Sequence, residues 1–156
     1  MKKYIICFCS IKSKGLNCVN EYNKVIQQKI NPPAPDKLEM KVKTTVFRQG
    51  DRVMQTKNNE FVSNGETGII VSIEKDEDEE LLCGIKFDGK HDTIWYDIED
   101  MSNITLAYSI TIHKSQGSEY KTVIMPIMKS FFIMLKRNLL YTAVTRAKSK
   151  VIIVGQ

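Results

Sequence analysis

Two stretches of the chain concentrate side chains able to bind and polarise phosphate. The first is Thr111-Ile112-His113-Lys114-Ser115-Gln116-Gly117-Ser118-Glu119-Tyr120. Hydroxyls, an imidazole, a lysine and a carboxamide converge there on a glycine, the residue that lets backbone approach a ligand closely. Thr111, His113 and Lys114 could grip a phosphodiester, and Gln116 and Glu119 a nucleotide. The same composition also describes a polar surface loop with a turn glycine. The second stretch, residues 137–150, is expected to be a helix: Leu139, Leu140, Ala143, Val144 and Ala147 fall on one face, and Thr142, Thr145, Arg146 and Ser149 on the other. A lone arginine on a helix face is usually just solvated. Aimed into a cleft, its planar, permanently charged fork suits a γ-phosphate.

Elements of α/β type are expected around both stretches. Residues 4–11 form a short apolar run with Cys7 and Cys9 on one face, bounded by a turn-prone Lys-Ser-Lys-Gly, and this pattern predicts a buried strand. From Leu16 the apolar positions Val19, Tyr22, Ile26 and Ile30 recur at helical steps until Asn31-Pro32-Pro33-Ala34-Pro35 must end the helix. Residues 122–127 and 151–154 are further strand candidates. Between them, residues 106–113 are ambiguous: Leu106, Tyr108, Ile110 and Ile112 alternate as in a strand, while Ala107, Ile110, Thr111 and Lys114 share a helical face.

The middle of the chain follows another grammar. Residues 43–47, 52–55, 68–73, 81–87 and 93–98 are short alternating segments separated by turn chemistry such as Asn64-Gly65 and Asp88-Gly89. The acidic run 74–80 reads as a solvated hairpin tip, and five such strands predict a small β-barrel. Charge divides the chain in the same places. Residues 1–56 carry a net charge of +7, residues 57–104 a net −9 and residues 105–156 again +7, within an overall +5. Two basic flanks able to attract a polyanion thus enclose an acidic centre.

Other classes of chemistry find no support. Four cysteines without a C-x-x-C pair and two histidines make neither a zinc pattern nor a disulfide framework. No signal peptide and no run long enough for a membrane helix is present, so a reducing, cytoplasmic setting is expected. A phosphate loop of the form G-x-x-x-x-G-K-[ST] has one near miss, Gly84 to Lys90, but His91 replaces the hydroxyl and the strand-like Thr93-Ile94-Trp95-Tyr96 follows. That segment reads as a hairpin turn, and the chain is not expected to turn over ATP by itself.

TIHKSQGSEY and RNLLYTAVTRAK, in that order and ahead of a closing strand, resemble motifs V and VI of superfamily one DNA helicases, in particular the RecD-like (exodeoxyribonuclease V alpha subunit) type. GLNCVNEYNKVIQQKINPP and FRQGDRVMQTKNNEFVSNGETG are similar to that family's strand–helix and barrel entry. The resemblance implies an α/β fold: an incomplete RecA-like motor domain, of the P-loop NTPase type, over residues 1–42 and 102–156, interrupted by an SH3-like β-barrel over residues 43–101. It tilts the ambiguous residues 106–113 towards helix. It implies that Thr111 and His113, with Lys114 beside them, contact single-stranded DNA; that Gln116, Gly117 and Glu119 line a nucleotide cleft supported by Tyr141; and that Arg146 is an arginine finger. Asn58, Asn59, Asn64 and Gly65 look typical of the family, and read equally well as turn residues.

The family's first motor domain, with its phosphate loop and magnesium-binding carboxylates, has no counterpart in this sequence. The chain is therefore expected to be the C-terminal portion of a longer, 5′-to-3′ helicase that uses ATP and Mg²⁺, with single-stranded DNA, that missing RecA-like domain and a protein bound by the barrel as partners. No metal site is expected in the chain itself. The alternative is a non-catalytic nucleic-acid-binding or protein-interaction module built on the barrel.

Overall fold

In the computed structural model, residues 5–9, 19–115, 117–127 and 137–155 are described. They form two compact units, residues 1–24 with 108–156 and residues 25–107. The first unit holds a parallel sheet of four strands in the order β11-β10-β1-β9: β1 (Ile5–Cys9), β9 (Ser109–Thr111), β10 (Tyr120–Ile127) and β11 (Ala147–Gly155). Strand β1 lies between β9 and β10, with Cys7 level with both Ser109 and Ile124, so the chain crosses over β1 to pass from β9 to β10. Val123 and Ile124 pair with Val151 and Ile152, and Met125 and Pro126 with Ile153 and Val154, an apolar ladder as expected of a parallel sheet. Ile110, Ile112, Tyr120, Val123, Met125 and Ala143 are buried in this unit.

Two expectations are corrected here. Residues 106–113 are not helical: β8 (Ile104–Leu106) and β9 are strands broken at Ala107 and Tyr108, and a single 3-10 turn, Ile112–Ser115, follows. Each strand has a ladder partner waiting, β4 (Arg52–Gln55) for β8 and β1 for β9, and pairing decides a pattern that periodicity left open. The expected helix 137–150 stops early as well. Helix α2 spans Arg137–Val144, Thr145 and Arg146 turn, and Ala147 already pairs with Tyr120 in β11. The β-branched pair Val144-Thr145 and the ladder along β10 account for the early stop.

The second unit is antiparallel. A hairpin of β2 (Glu39–Val42) and β3 (Thr45–Arg48) turns at Lys43, whose φ is +55°. A five-stranded sheet runs in the order β7-β6-β5-β4-β8, formed by β4 (Arg52–Gln55), β5 (Thr67–Lys75), β6 (Leu81–Phe87), β7 (Thr93–Tyr96) and β8. Residues 43–47 belong to the hairpin rather than to this sheet, and its fifth member is β8. The acidic run is a hairpin tip, closed by the Asp76 amide on the Glu80 carbonyl (2.9 Å), with the Asp76 carboxylate accepting from the Asp78 and Glu80 amides. The near-miss phosphate loop is the end of β6 and a turn at Gly89, φ +80°. Gly68 is required by crowding, since a Cβ there would stand 2.8 Å from the Lys86 carbonyl oxygen.

Helix α1 (Val19–Ile30) departs from its expected face. Ile30 is exposed, and the buried stripe is polar: Asn23, Gln27 and, just past the last turn, Asn31. Spaced at four, they share one face. Within the first unit, Asn23 donates to the Ser109 carbonyl (2.9 Å) and accepts from the Ser109 amide (2.7 Å). Within the second, Gln27 and Asn31 both donate to the Asp51 carboxylate (2.5 and 2.7 Å), which also accepts from the Arg48 amide (2.8 Å). Asp51 is 0% exposed. Nearby, burial first and the Asp51 charge second push the Cys83 thiol up to about 12, so it stays protonated and inert at neutral pH.

Truncating Asp51 would remove the shared acceptor of three donors at once, leaving the Gln27 and Asn31 side-chain amides to donate only to the Val46 and Gln49 carbonyls. Asp51→Ala is expected to destabilise the second unit by about 3 kcal/mol, read as a lower urea midpoint of the chain; a midpoint within error of wild type would refute the role given to this carboxylate.

Candidate functional site

The first unit places most of the sequence-derived site residues around one loop and one helix. Thr111 ends β9, and its hydroxyl accepts, at 3.4 Å, the amide of Lys114 in the 3-10 turn. His113 is exposed on that turn and Lys114 half-buried. Ser115 is fully buried and its hydroxyl donates to the Ile112 carbonyl (2.6 Å), which closes the turn from inside. Gly117 follows with φ +82°, a conformation that L side chains rarely adopt, and a Cβ there would meet nothing within 4 Å. Gln116 lies outside the described residues. Helix α2 lies against the 3-10 turn, with Ala143 buried and Tyr141 73% exposed.

Glu119 and Arg146 are brought together by the sheet. The Tyr120 amide donates to the Arg146 carbonyl (2.8 Å), the rung at which β11 begins to pair with β10. Arg146 therefore occupies the turn between α2 and β11, beside the end of the Gly117–Glu119 segment. Its Nε is buried and has no hydrogen-bond partner, and among the described residues it joins no ion pair. Glu119 is exposed and pairs with Lys148 at 2.5 Å. The hydrogen bond and charge of Lys148, with a smaller contribution from the Arg146 charge, hold its carboxyl below the ordinary glutamate range.

Closeness in sequence does not mean closeness in space along this loop. Ser109 is level with Ile124 through Cys7, so Thr111 lies at the C-terminal edge of the sheet while Tyr120 opens β10 at the other. At about 3.3 Å per residue, roughly 20 Å of strand separates the Thr111 end from the Glu119 and Arg146 end. The loop runs the length of the sheet and joins two chemically distinct ends.

Lys148 was missed because residues 137–150 read as one helix, where Lys148 and Glu119 had no reason to meet. Once β11 is recognised as a strand beginning at Ala147, Lys148 falls beside the start of β10. The asparagines of the 58–65 loop make turn contacts: Asn59 Oδ1 accepts from the Phe61 and Val62 amides, and Asn58 Oδ1 from the Asn64 amide. Among the described residues no three potential metal ligands cluster, and no helix is long and apolar enough to cross a membrane.

Comparison with known proteins finds two matching families and several relatives. Residues 106–154 match the UvrD-like helicase C-terminal domain, and residues 22–86 the ATP-dependent RecD-like DNA helicase SH3 domain. The ATP-dependent RecD2 DNA helicase of Deinococcus radiodurans is 37% identical over 105 residues, 66% of this chain and 14% of that protein. The RecBCD enzyme subunit RecD of Buchnera aphidicola is 27% identical over 144 residues, 91% of this chain and 23% of the relative. The chain thus spans less than a quarter of the length of these relatives. Among solved structures, Bacteroides Pif1 bound to ssDNA superposes with a TM-score of 0.62 at 19% identity, covering 96% of this chain and 40% of that one. Pif1 helicase from Candida albicans superposes with a TM-score of 0.60 at 16% identity, over 96% of this chain and 45% of that one. In a mixed α/β, strand-rich fold the chain thus combines a match to the UvrD-like helicase C-terminal domain with a match to the RecD-like DNA helicase SH3 domain, and it is similar to RecD helicases over a part of their length.

Proposed function

We propose that the chain supplies the second half of an ATP-driven, single-strand-translocating DNA helicase motor, with Arg146 as its phosphate-sensing arginine finger. The observation that carries this reading is the Arg146 guanidinium, whose buried Nε has no protein partner although arginine normally finds one. A γ-phosphate held by the other motor domain would satisfy it and draw the two domains together, and hydrolysis would release them. Glu119 and Gly117, at the same end of the sheet, with Gln116 on the intervening loop, would line the nucleotide, and Tyr141 on exposed α2 would cover it. No Mg²⁺ ligand set is assigned to this chain, and the ion's carboxylates would belong to the other motor domain. Residues 43–101, or the slightly longer unit 25–107, would form the SH3-like insertion, with 1–42 and 102–156 as the RecA-like part.

Thr111, His113 and Lys114 would hold the phosphodiester backbone of single-stranded DNA. They lie at the far end of β10 from Arg146, so the loop 112–119 would act as the mechanical link between strand and nucleotide. A 5′-to-3′ polarity and a protein partner for the barrel belong to the same reading.

Three outcomes test it. In the longer helicase polypeptide, Arg146→Ala should cut DNA-stimulated phosphate release at least tenfold and leave single-strand affinity unchanged; more than roughly a tenth of normal turnover would sink the finger assignment. Thr111→Ala combined with His113→Ala should weaken single-strand binding, measured by fluorescence anisotropy, about fivefold or more while ATP binding persists. Equal DNA affinity in wild type and double mutant would count against the loop's strand role. The Glu119 carboxyl should titrate below its ordinary 4.5 in an NMR pH series and move back up in Lys148→Ala. A depressed folded pKa means that the ion pair contributes at neutral pH and is lost as pH falls through the acid range, so the carboxylate is charged throughout the working range.

A further inference from the structure

We infer that Lys148 is a positioning residue: by engaging the Glu119 carboxylate, it keeps the Arg146 guanidinium unpaired and open to an anionic phosphate ligand. The inference rests on the reading of Arg146 as the phosphate-sensing group, and deepens it.

Three facts combine. Glu119 immediately precedes Tyr120, whose amide donates to the Arg146 carbonyl (2.8 Å), so the two residues lie level at the start of the parallel ladder. A carboxylate within reach of an arginine ordinarily forms a forked, charge-assisted pair with it, the geometry for which the guanidinium is pre-organised. Here Glu119 instead meets Lys148 Nζ at 2.5 Å, and the Arg146 Nε is buried without a partner. Leaving a buried donor unmade is unfavourable, so a nearby acceptor is expected to engage it unless a competing donor holds that acceptor. Lys148 is that competitor. It is one residue beyond Ala147, which pairs with Tyr120 in a parallel ladder, and Glu119 immediately precedes Tyr120, so the register sets Glu119 level with Arg146 and Lys148 two residues further along, where its Nζ reaches back to the carboxylate. Without Lys148, Glu119 would turn to Arg146 and occupy the fork that a phosphate would otherwise enter.

The test uses the 156-residue chain and the Arg146 Nε–Hε resonance. Without any added anion, Lys148→Ala should slow exchange of that proton with water about twofold to fivefold, the range of an exposed ion pair, and shift its signal. Lys148→Arg should keep the wild-type signal, and adding Glu119→Gln to Lys148→Ala should restore it. A signal unchanged by Lys148→Ala overturns the inference, as does a change that survives Glu119→Gln. With pyrophosphate as the probe, Lys148→Ala should need two to five times more ligand than wild type to move the same resonance, and equal affinity also overturns it. A wild-type resonance that ignores pyrophosphate defeats the phosphate-sensing reading of Arg146 instead, because the anion-free exchange decides the role of Lys148 separately.

Discussion

The hydrogen bond from the Tyr120 amide to the Arg146 carbonyl is the contact from which the candidate site is built. It starts the parallel ladder between β10 and β11, and so ends α2 before Thr145 can extend it. It also sets Glu119, Arg146 and Lys148 side by side, although 26 residues separate Glu119 from the end of the Thr145–Arg146 turn. Were α2 to continue through residue 150, Arg146 would sit one turn along a helix and Lys148 would leave the Glu119 side. A ladder hydrogen bond of modest net worth thereby selects between two placements of the charged groups, because register in a sheet moves every side chain that follows it.

The second unit is organised by a buried charge. Asp51 gathers Gln27, Asn31 and the Arg48 amide, and Arg48 reaches Glu39 at 2.5 Å and the Asn31 carbonyl at 3.4 Å. Removing a carboxylate from water is costly, and it is tolerated where every lone pair finds a donor. The consequence for α1 is that its buried face is carboxamide rather than aliphatic. Such a face specifies position more sharply than apolar contact, since a hydrogen bond fails at displacements that a methyl group would absorb. In the same unit, Arg52 forks onto the Asp88 carboxylate, which also accepts from the Thr67 hydroxyl (2.7 Å), and so ties the β6–β7 turn to the start of β4 and β5.

These two constraints suit the motor role proposed above. The parallel sheet carries its candidate groups at both ends, with about 20 Å of strand between them, and one loop spans the distance. In the proposed reading a displacement at the Arg146 end would be passed toward Thr111 and His113 by way of the 3-10 turn, whose Ser115 hydroxyl donates to the Ile112 carbonyl. Rigid elements joined in this way are what the proposed coupling between nucleotide and strand would require.

Residue types and local order carried much of this. The glycine–polar loop at 111–120, the arginine of RNLLYTAVTRAK, the hairpin turns at Asp88-Gly89 and at the acidic run, the helix stop at Asn31-Pro32 and the contrast of basic flanks with an acidic centre are all local features, governed by backbone preference, turn chemistry and charge. What they left open was decided by partners distant in the chain. Ile104–Leu106 and Ser109–Thr111 became strands because β4 and β1 offered ladders, and Ala147 left a helical pattern because β10 did. The polar face of α1 was hidden because its value comes from Asp51 and Ser109, neither of which its own periodicity can reveal. Lys148 found Glu119 for the same reason. Pairing between segments far apart in sequence, and the burial that makes an unmade hydrogen bond expensive, lie beyond any window of neighbouring residues.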